Sequence, residues 1–298
     1  MFEKKLIIVG DDLAKDLSKS LKANYLPVEH RTFPDGEIKP RILKLSKAKV
    51  GVLLLDMYQD EDINAYIIRF LILANRLKQE CNKLIGIIPY LPYARQDKEF
   101  KPGDSISAKI IGGFISQYCD YFLTINPHEH RLILSEMVTC LSKSLSIFPE
   151  CAKEFSDVQD PLVIGPDSEA AAFVKSFVQN IEMETVVCEK KRDITHGTVQ
   201  VSVPKEVSLK DRNLIIVDDV VSTGGTLLKL VLQLKEHQPK SISYVFAHGL
   251  LVGDTEDMLK KTNPLKIVAS NSIRNEFGVV DCVPILKQEI ENYLKLIK

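Results

Sequence analysis

Short runs of β-branched and other apolar residues recur along the chain, and most are followed by a segment whose apolar residues fall three and four apart. The runs are KLIIV (5–9), VGVLLL (50–55), LIGIIP (84–89), YFLTI (121–125), PLVIG (161–165), TVVC (185–188), NLIIV (213–217) and SISYVFA (241–247). Nearly continuous apolarity over the length of a strand predicts burial on both faces, as in a parallel sheet covered by helices. The segments 64–78, 105–116, 168–178 and 226–237 carry the helical period. Strand alternating with helix predicts an α/β fold. A weak internal symmetry goes further. VLLLDMYQDEDINAYIIRF and LVIGPDSEAAAFVKSFVQ each read strand, acidic turn, helix; YFLTINPHEH and NLIIVDDVVSTGGT each read strand, then polar loop. Two similar halves are therefore expected to meet near 143–150: a first domain over 1–146, on which 285–298 is expected to pack, and a second over 147–284.

Composition agrees with two domains, since 298 residues with 45% hydrophobic content can bury two ordinary cores. The 39 basic and 40 acidic residues nearly cancel, so no global field draws the chain to nucleic acid or anionic lipid. Any anionic ligand must be held locally. The opening MFEKKLIIVGDD has too short an apolar run for a signal segment, and no run approaches a membrane span. The six cysteines form no CxxC pair, which fits reduced thiols in the cytoplasm.

Ligand sites in open parallel sheets lie beyond the carboxyl ends of strands, so the loops after the runs are the places to look. After NLIIV come Asp218, Asp219, then Ser222, Thr223, Gly224, Gly225 and Thr226, and then a helix. Two glycines let backbone approach a ligand, while N–H groups at the helix start and the hydroxyls point at whatever sits there. A phosphate suits that place, but two aspartates would repel it. Sugar hydroxyls or a bound metal explain the carboxylates. STGG alone would also serve as an ordinary capped turn; the preceding Asp pair argues otherwise. Here the chain resembles the phosphoribosyltransferase-type fold family, and the resemblance implies that residues 217–226 hold ribose 5-phosphate. Enzymes of that fold either consume phosphoribosyl pyrophosphate or make it.

Further segments, in the same order along the chain, resemble the ribose-phosphate pyrophosphokinase family. FPDGEIKPRI (33–42) matches its nucleotide-recognition segment, which implies Phe33 stacked on adenine with Asp35 and Glu37 accepting hydrogen bonds; a plain PDG turn between two strands is the competing reading. PYLPYARQDKEF (89–100) matches PYxxYARQD. Arg95 offers a fork for phosphate oxygens with Gln96 beside it, and Asp97 either joins that ATP site or orients Arg95. INPHEHR (125–131) places His128 where the family has a histidine on the magnesium of ATP. GPDSEAA (165–171) supplies Asp167 for metal or ribose, unless Ser168 caps the next helix with Asp167 merely exposed beside it. CEKKRDITHGTVQV (188–201) carries Lys190 and Arg192 at the family's Lys-x-Arg spacing, where two cations would offset charge developing on the transferring phosphates.

The resemblance implies two phosphoribosyltransferase-type domains, Mg²⁺, ATP and ribose 5-phosphate as substrates, and transfer of the β,γ-diphosphoryl group of ATP to the sugar's C1 hydroxyl. It also implies a homo-oligomer with shared sites. Two departures stand out: Ser222 and Asn126 occupy positions where many members carry Asp. A phosphoribosyltransferase would use the same loop but has no reason to carry both FPDGE and YARQD. A non-catalytic associated subunit would keep the fold without needing Lys190, Arg192, His128 and Asp167.

Overall fold

The computed structural model describes residues 4–193, 198–202, 204 and 207–297, with the backbone alone for 4, 190–193 and 198–202. The chain divides into two compact units, 1–145 with 282–298 and 146–281. The first unit runs β1 (Lys4–Gly10), α1 (Asp12–Ser20), β2 (Asn24–Glu29), β3 (Arg41–Ile42), β4 (Ala48–Leu54), α2 (Ile63–Lys78), β5 (Cys81–Ile87), α3 (Ser107–Ser116), β6 (Tyr121–Ile125), α4 (Leu134–Met137) and β7 (Leu141–Leu145). Its sheet has the order β3-β2-β1-β4-β5-β6-β7, parallel throughout except for the β2–β3 pair.

The second unit runs α5 (Phe148–Ala152), β8 (Pro161–Gly165), α6 (Ala171–Phe177), β9 (Glu184–Val187), β10 (Glu189–Asp193), β11 (Thr198–Ser202), β12 (Asn213–Val221), α7 (Gly225–Glu236), β13 (Ser241–Gly249), α8 (Thr255–Lys261), β14 (Ile267–Ser270) and β15 (Gly278–Val280). The sheet order is β15-β14-β13-β12-β8-β9, all parallel, with β10 and β11 forming a separate antiparallel ribbon. Read strand for strand, 2-1-4-5-6-7 of the first sheet repeats as 9-8-12-13-14-15 of the second. The symmetry glimpsed in the sequence is thus a shared α/β topology, with an added segment after β2 in the first half and after β9 in the second.

All eight apolar runs are strands, and the four periodic segments are helical, with the segment at 168–178 opening as a 3-10 turn. Helix α2 buries Tyr66, Ile67, Phe70, Leu73, Ala74 and Leu77, one stripe at three- and four-residue spacing. Helix α7 buries Leu227, Leu230, Val231 and Leu234 against Leu214 and Ile216 of β12. Helix α9 (Val283–Leu296) returns to the first unit. Its Tyr293 ring stacks on Tyr121 at 4.3 Å between centroids, and the Tyr121 hydroxyl donates to the buried Glu289 at 2.6 Å. Lys143 also pairs with Glu289. No helix among the described residues is long and apolar enough to cross a membrane.

All six cysteines are thiols, four of them buried. Burial pushes Cys81 and Cys188 up to about 11, with the Asp167 carboxylate adding to the effect on Cys188, and burial likewise raises Tyr66 and Tyr244. These groups stay neutral when folded, whereas unfolded thiols ionise near ~8.5 and tyrosines near ~10. Their contribution to stability is therefore fully present below about pH 8.5 and is lost as pH rises toward the folded values. Urea midpoints should be flat up to about pH 8.5 and fall between there and pH 11; a midpoint rising across that window would contradict the burial of these groups.

Candidate active site

Strand β12 does not end at Val217, where its apolar run stops. Val220 pairs with His248 and Val221 with Gly249 of β13, so both aspartates lie within the strand. The Asp218 carboxylate accepts from the Asp219 N–H at 3.0 Å, and that of Asp219 from the Val220 N–H at 2.7 Å. Asp219 is buried and Asp218 half-buried. The turn that follows is Ser222 and Thr223, and α7 begins at Gly225 behind the cap residue Gly224.

Gly224 sits in the left-handed region at φ +68° and contributes no capping side chain. A carbonyl four residues back is what each of the first helical N–H groups lacks, so those of Gly225, Thr226 and Leu227 project from the end of α7 with the positive end of its dipole. Among the described residues nothing lies within 4 Å of where a Cβ on Gly225 would stand. Thr223, Gly225 and Thr226 are exposed. The arrangement is an anion seat with hydroxyls at its rim and two carboxylates on the strand before it.

Strand order sets this end of the sheet apart. From β8 the chain goes to β9 on one side and later to β12 on the other, so the carboxyl ends of β8 and β12 flank the point where the order reverses. Asp167 follows β8 and accepts from the Glu169 N–H at 2.9 Å, capping the 3-10 turn at Ser168–Ala170. The cap is thus Asp167 itself, not Ser168, because the chain enters the turn one residue earlier than the helical period suggests. The backbones of Lys190 and Arg192 pair with Val201 and Val199 in the ribbon after β9; their side chains lie outside the described residues.

In the first unit the segment corresponding to the anion seat is closed. Helix α2 is capped by Asp62, whose carboxylate accepts from the N–H groups of Asn64 at 2.8 Å and Ala65 at 3.3 Å. A negative charge already sits on that helix end. Of these two corresponding helices, α7 is the one left without a capping side chain.

The ribbon between β2 and β3 carries Phe33, Asp35 and Glu37 at its tip. Thr32 bridges Ile38, the Phe33 N–H donates to the Glu37 carbonyl at 2.7 Å, and Asp35 accepts from the Glu37 N–H at 3.1 Å. The PDG turn and the recognition segment are therefore one object: the turn presents Phe33, over which the Arg31 guanidinium lies 4.7 Å from the ring centroid. Asp35 and Glu37 are exposed.

After β5, Arg95 is exposed and forms no ion pair with any described residue, while Gln96 accepts from the Ser107 hydroxyl at 2.6 Å. Of the two readings offered for Asp97, the pairing with Arg95 is not the one the fold makes. The Asp97 side chain is fully buried and receives Arg131 on both oxygens, at 3.2 and 3.1 Å, so it orients Arg131 and not Arg95. This pair ties the loop after β5 to the loop after β6, across 34 residues that no local pattern connects. Phe100 is exposed, with Lys98 and Arg131 at 5.0 and 5.7 Å from its ring, beside a concavity of about 300 Å³ that Gln96, Lys98, Asp104, Ser105 and Ser107 also line.

After β6, Asn126 takes φ +36°, a conformation asparagine tolerates better than most residues. It turns the chain so that His128 and His130 meet edge to face at 4.0 Å, both half-buried. Arg31, Phe100 and Arg131 touch the candidate residues or line the concavity beside them without being singled out by the motifs; proximity in sequence to FPDGE, YARQD and INPHEH was the available signal.

The family model described as the N-terminal domain of ribose phosphate pyrophosphokinase matches residues 9–118, and that of the phosphoribosyl transferase domain matches 146–282. The ribose-phosphate pyrophosphokinase of Sulfurisphaera tokodaii is 31% identical over 297 residues, covering 96% of this chain and 100% of that one. That of Pyrococcus abyssi is 30% identical over 285 residues, covering 94% and 96%. Among solved structures, phosphoribosylpyrophosphate synthetase from Mycobacterium smegmatis superposes with a TM-score of 0.83 at 20% identity over 98% of this chain and 99% of that one, which shows a shared fold.

Proposed function

Because the chain belongs to the ribose-phosphate pyrophosphokinase family, we infer that it transfers the β,γ-diphosphoryl group of ATP to ribose 5-phosphate, giving phosphoribosyl pyrophosphate and AMP. The observation that carries the reading to named residues is the open amino end of α7 behind Asp218 and Asp219. An anion seat with carboxylates beside it suits a phosphorylated sugar: phosphate on the N–H groups and hydroxyls of Thr223–Thr226, ribose hydroxyls on the carboxylates. Ser222 shortens the reach of the side chain at its position but keeps a hydroxyl.

ATP is assigned to the first unit. Phe33 takes the base, Asp35 and Glu37 its polar edge, and Arg95 and Gln96 the triphosphate. Asp35 also shapes the ribbon tip that presents Phe33. Asp97 acts through Arg131 and is a positioning residue.

In the reaction the C1 hydroxyl oxygen attacks the β-phosphorus. The bond from that phosphorus to the α,β-bridging oxygen breaks, AMP leaves with the electron pair, and the hydroxyl proton is lost. Holding the acceptor by its 5-phosphate at one end and its hydroxyls at the other leaves C1 as the reactive position. Lys190 and Arg192 are assigned to the charge that builds on the transferring oxygens. His128 in the first unit and Asp167 in the second each offer a donor suited to Mg²⁺, which takes few protein ligands and keeps several waters. The ion would neutralise phosphate charge. The family resemblance further suggests a homo-oligomer in which the exposed 32–38 tip completes a neighbour's site. Six thiols and nucleotide substrates fit the cytoplasm.

Incubation with ribose 5-phosphate, Mg²⁺ and ATP labelled in the γ-phosphate should release unlabelled AMP and leave the label in the sugar product. Release of ADP, or labelled orthophosphate with no sugar diphosphate, would sink the assignment.

A further inference from the structure

The anion seat at the start of α7 does not stand alone; it rests on the turn that follows β13. The Val221 carbonyl accepts from the Leu251 N–H and the Ser222 carbonyl from the Val252 N–H, both at 3.0 Å. The turn therefore runs beside the phosphate-binding segment residue for residue. Its backbone is strained for the purpose: Leu251, buried, takes φ +48°, and Gly253 takes φ +63°. A bulky residue in the left-handed region persists only where its surroundings over-determine it, and such residues cluster at functional sites.

Beneath Gly224 lies Thr255, the first residue of α8, with no exposed surface. Its hydroxyl donates to the Val252 carbonyl at 2.7 Å, which fixes its rotamer. That bond aims the methyl group at Gly224, with Cγ2 only 2.9 Å from where a Cβ on that glycine would stand. Gly224 is thus required twice, by its positive φ and by the methyl beneath it.

Resting on the ribose 5-phosphate reading of this loop, we propose that Thr255 is a positioning residue for that substrate. Its methyl group seats Gly224 and so aims the N–H groups of Gly225 and Thr226 at the 5-phosphate. The hydroxyl and the methyl have separable tasks. The first holds the turn; the second holds the loop.

Three variants test this in the full-length protein, with KM for each substrate, kcat and thermal midpoint measured for all. Thr255→Ser keeps the hydroxyl and removes the methyl. It should raise KM for ribose 5-phosphate about five- to tenfold, as expected for one lost buried methyl contact, and hold KM for ATP within about twofold. Thr255→Val has the same branched shape, so close packing around this fully buried position keeps a methyl against Gly224 without the hydroxyl bond; it should lower the thermal midpoint while leaving both KM values within about twofold. Gly224→Ala should raise KM for ribose 5-phosphate about a hundredfold, and only about tenfold when made in the Thr255→Ser background, because the steric part of its cost disappears there.

Equal effects of Thr255→Ser and Thr255→Val, equal shifts in both KM values, or additive losses in the double variant would overturn the proposal. Asp219→Asn separates its failure from failure of the underlying reading. If Asp219→Asn weakens ribose 5-phosphate and Thr255→Ser does not, the positioning role alone falls. If neither variant changes KM for that substrate, the loop is not its site and both fall.

Discussion

Replacing Lys190 by alanine is expected to lower kcat about a thousandfold, with both KM values within a few-fold of the parent enzyme. Phosphoryl transfer gives a protein little covalent work, so rate comes from positioning and from charge placed where charge develops. A cation that meets the phosphoryl oxygens mainly in the transition state must show its loss in kcat. Lys190 stands in the ribbon after β9, paired through its backbone to Val201, on a connection separate from the strands to which the substrates are assigned. Removing it leaves the seat at α7 and the Phe33 ribbon as they are. Arg192→Ala should act the same way, and the double variant should lose less than the product of the two if the cations work as a unit. Steady-state kinetics with each substrate varied decides the matter: an unchanged kcat with a raised KM would assign the pair to ground-state binding.

Asp219→Asn is the second large effect, about a hundred- to thousandfold in kcat/KM for ribose 5-phosphate, since the charge on a carboxylate that accepts from sugar hydroxyls is worth ~3–4 kcal/mol there. The substitution keeps the shape of a buried side chain and one acceptor oxygen, so the strand should survive. Its Oδ1 serves the Val220 N–H at 2.7 Å, and an asparagine oxygen can do that too. What is lost is the charge. The thermal midpoint should move by no more than a few degrees; a collapse of stability with unchanged kinetics in the surviving fraction would make Asp219 a structural residue.

Several features of the site could not be read along the chain. Asp218 and Asp219 look like a loop because aspartate is a poor strand former, yet pairing with β13 through Gly249 carries the strand past them. The tertiary partner outweighed the local preference. Strand β2 (NYLPVE) leaves no apolar run in the sequence, because its residues are mixed in polarity and include Pro27, as suits a strand near the sheet edge. Helix α1 has an amphipathic pattern, but it is only nine residues long and its cap residue Asp11 makes no capping bond. Asp97 shows the limit most clearly. Its motif suggests a role beside Arg95, and only the fold brings Arg131 to both of its oxygens.

The sequence by itself determined the alternation of strand and helix, the doubling of the α/β unit, and the chemical character of the loops. Those properties are local: apolar runs, periods and residue types within a dozen positions. The tertiary structure decided how the open helix end is supported. Both halves offer a helix after the strand beside the reversal of sheet order, but Asp62 closes α2 while Gly224 leaves α7 free of a capping side chain. That Gly224 is seated by Thr255, 31 residues on, depends on β13 returning the chain beside β12. Contacts between strands adjacent in space and distant in sequence leave no periodic trace, so packing alone could settle them.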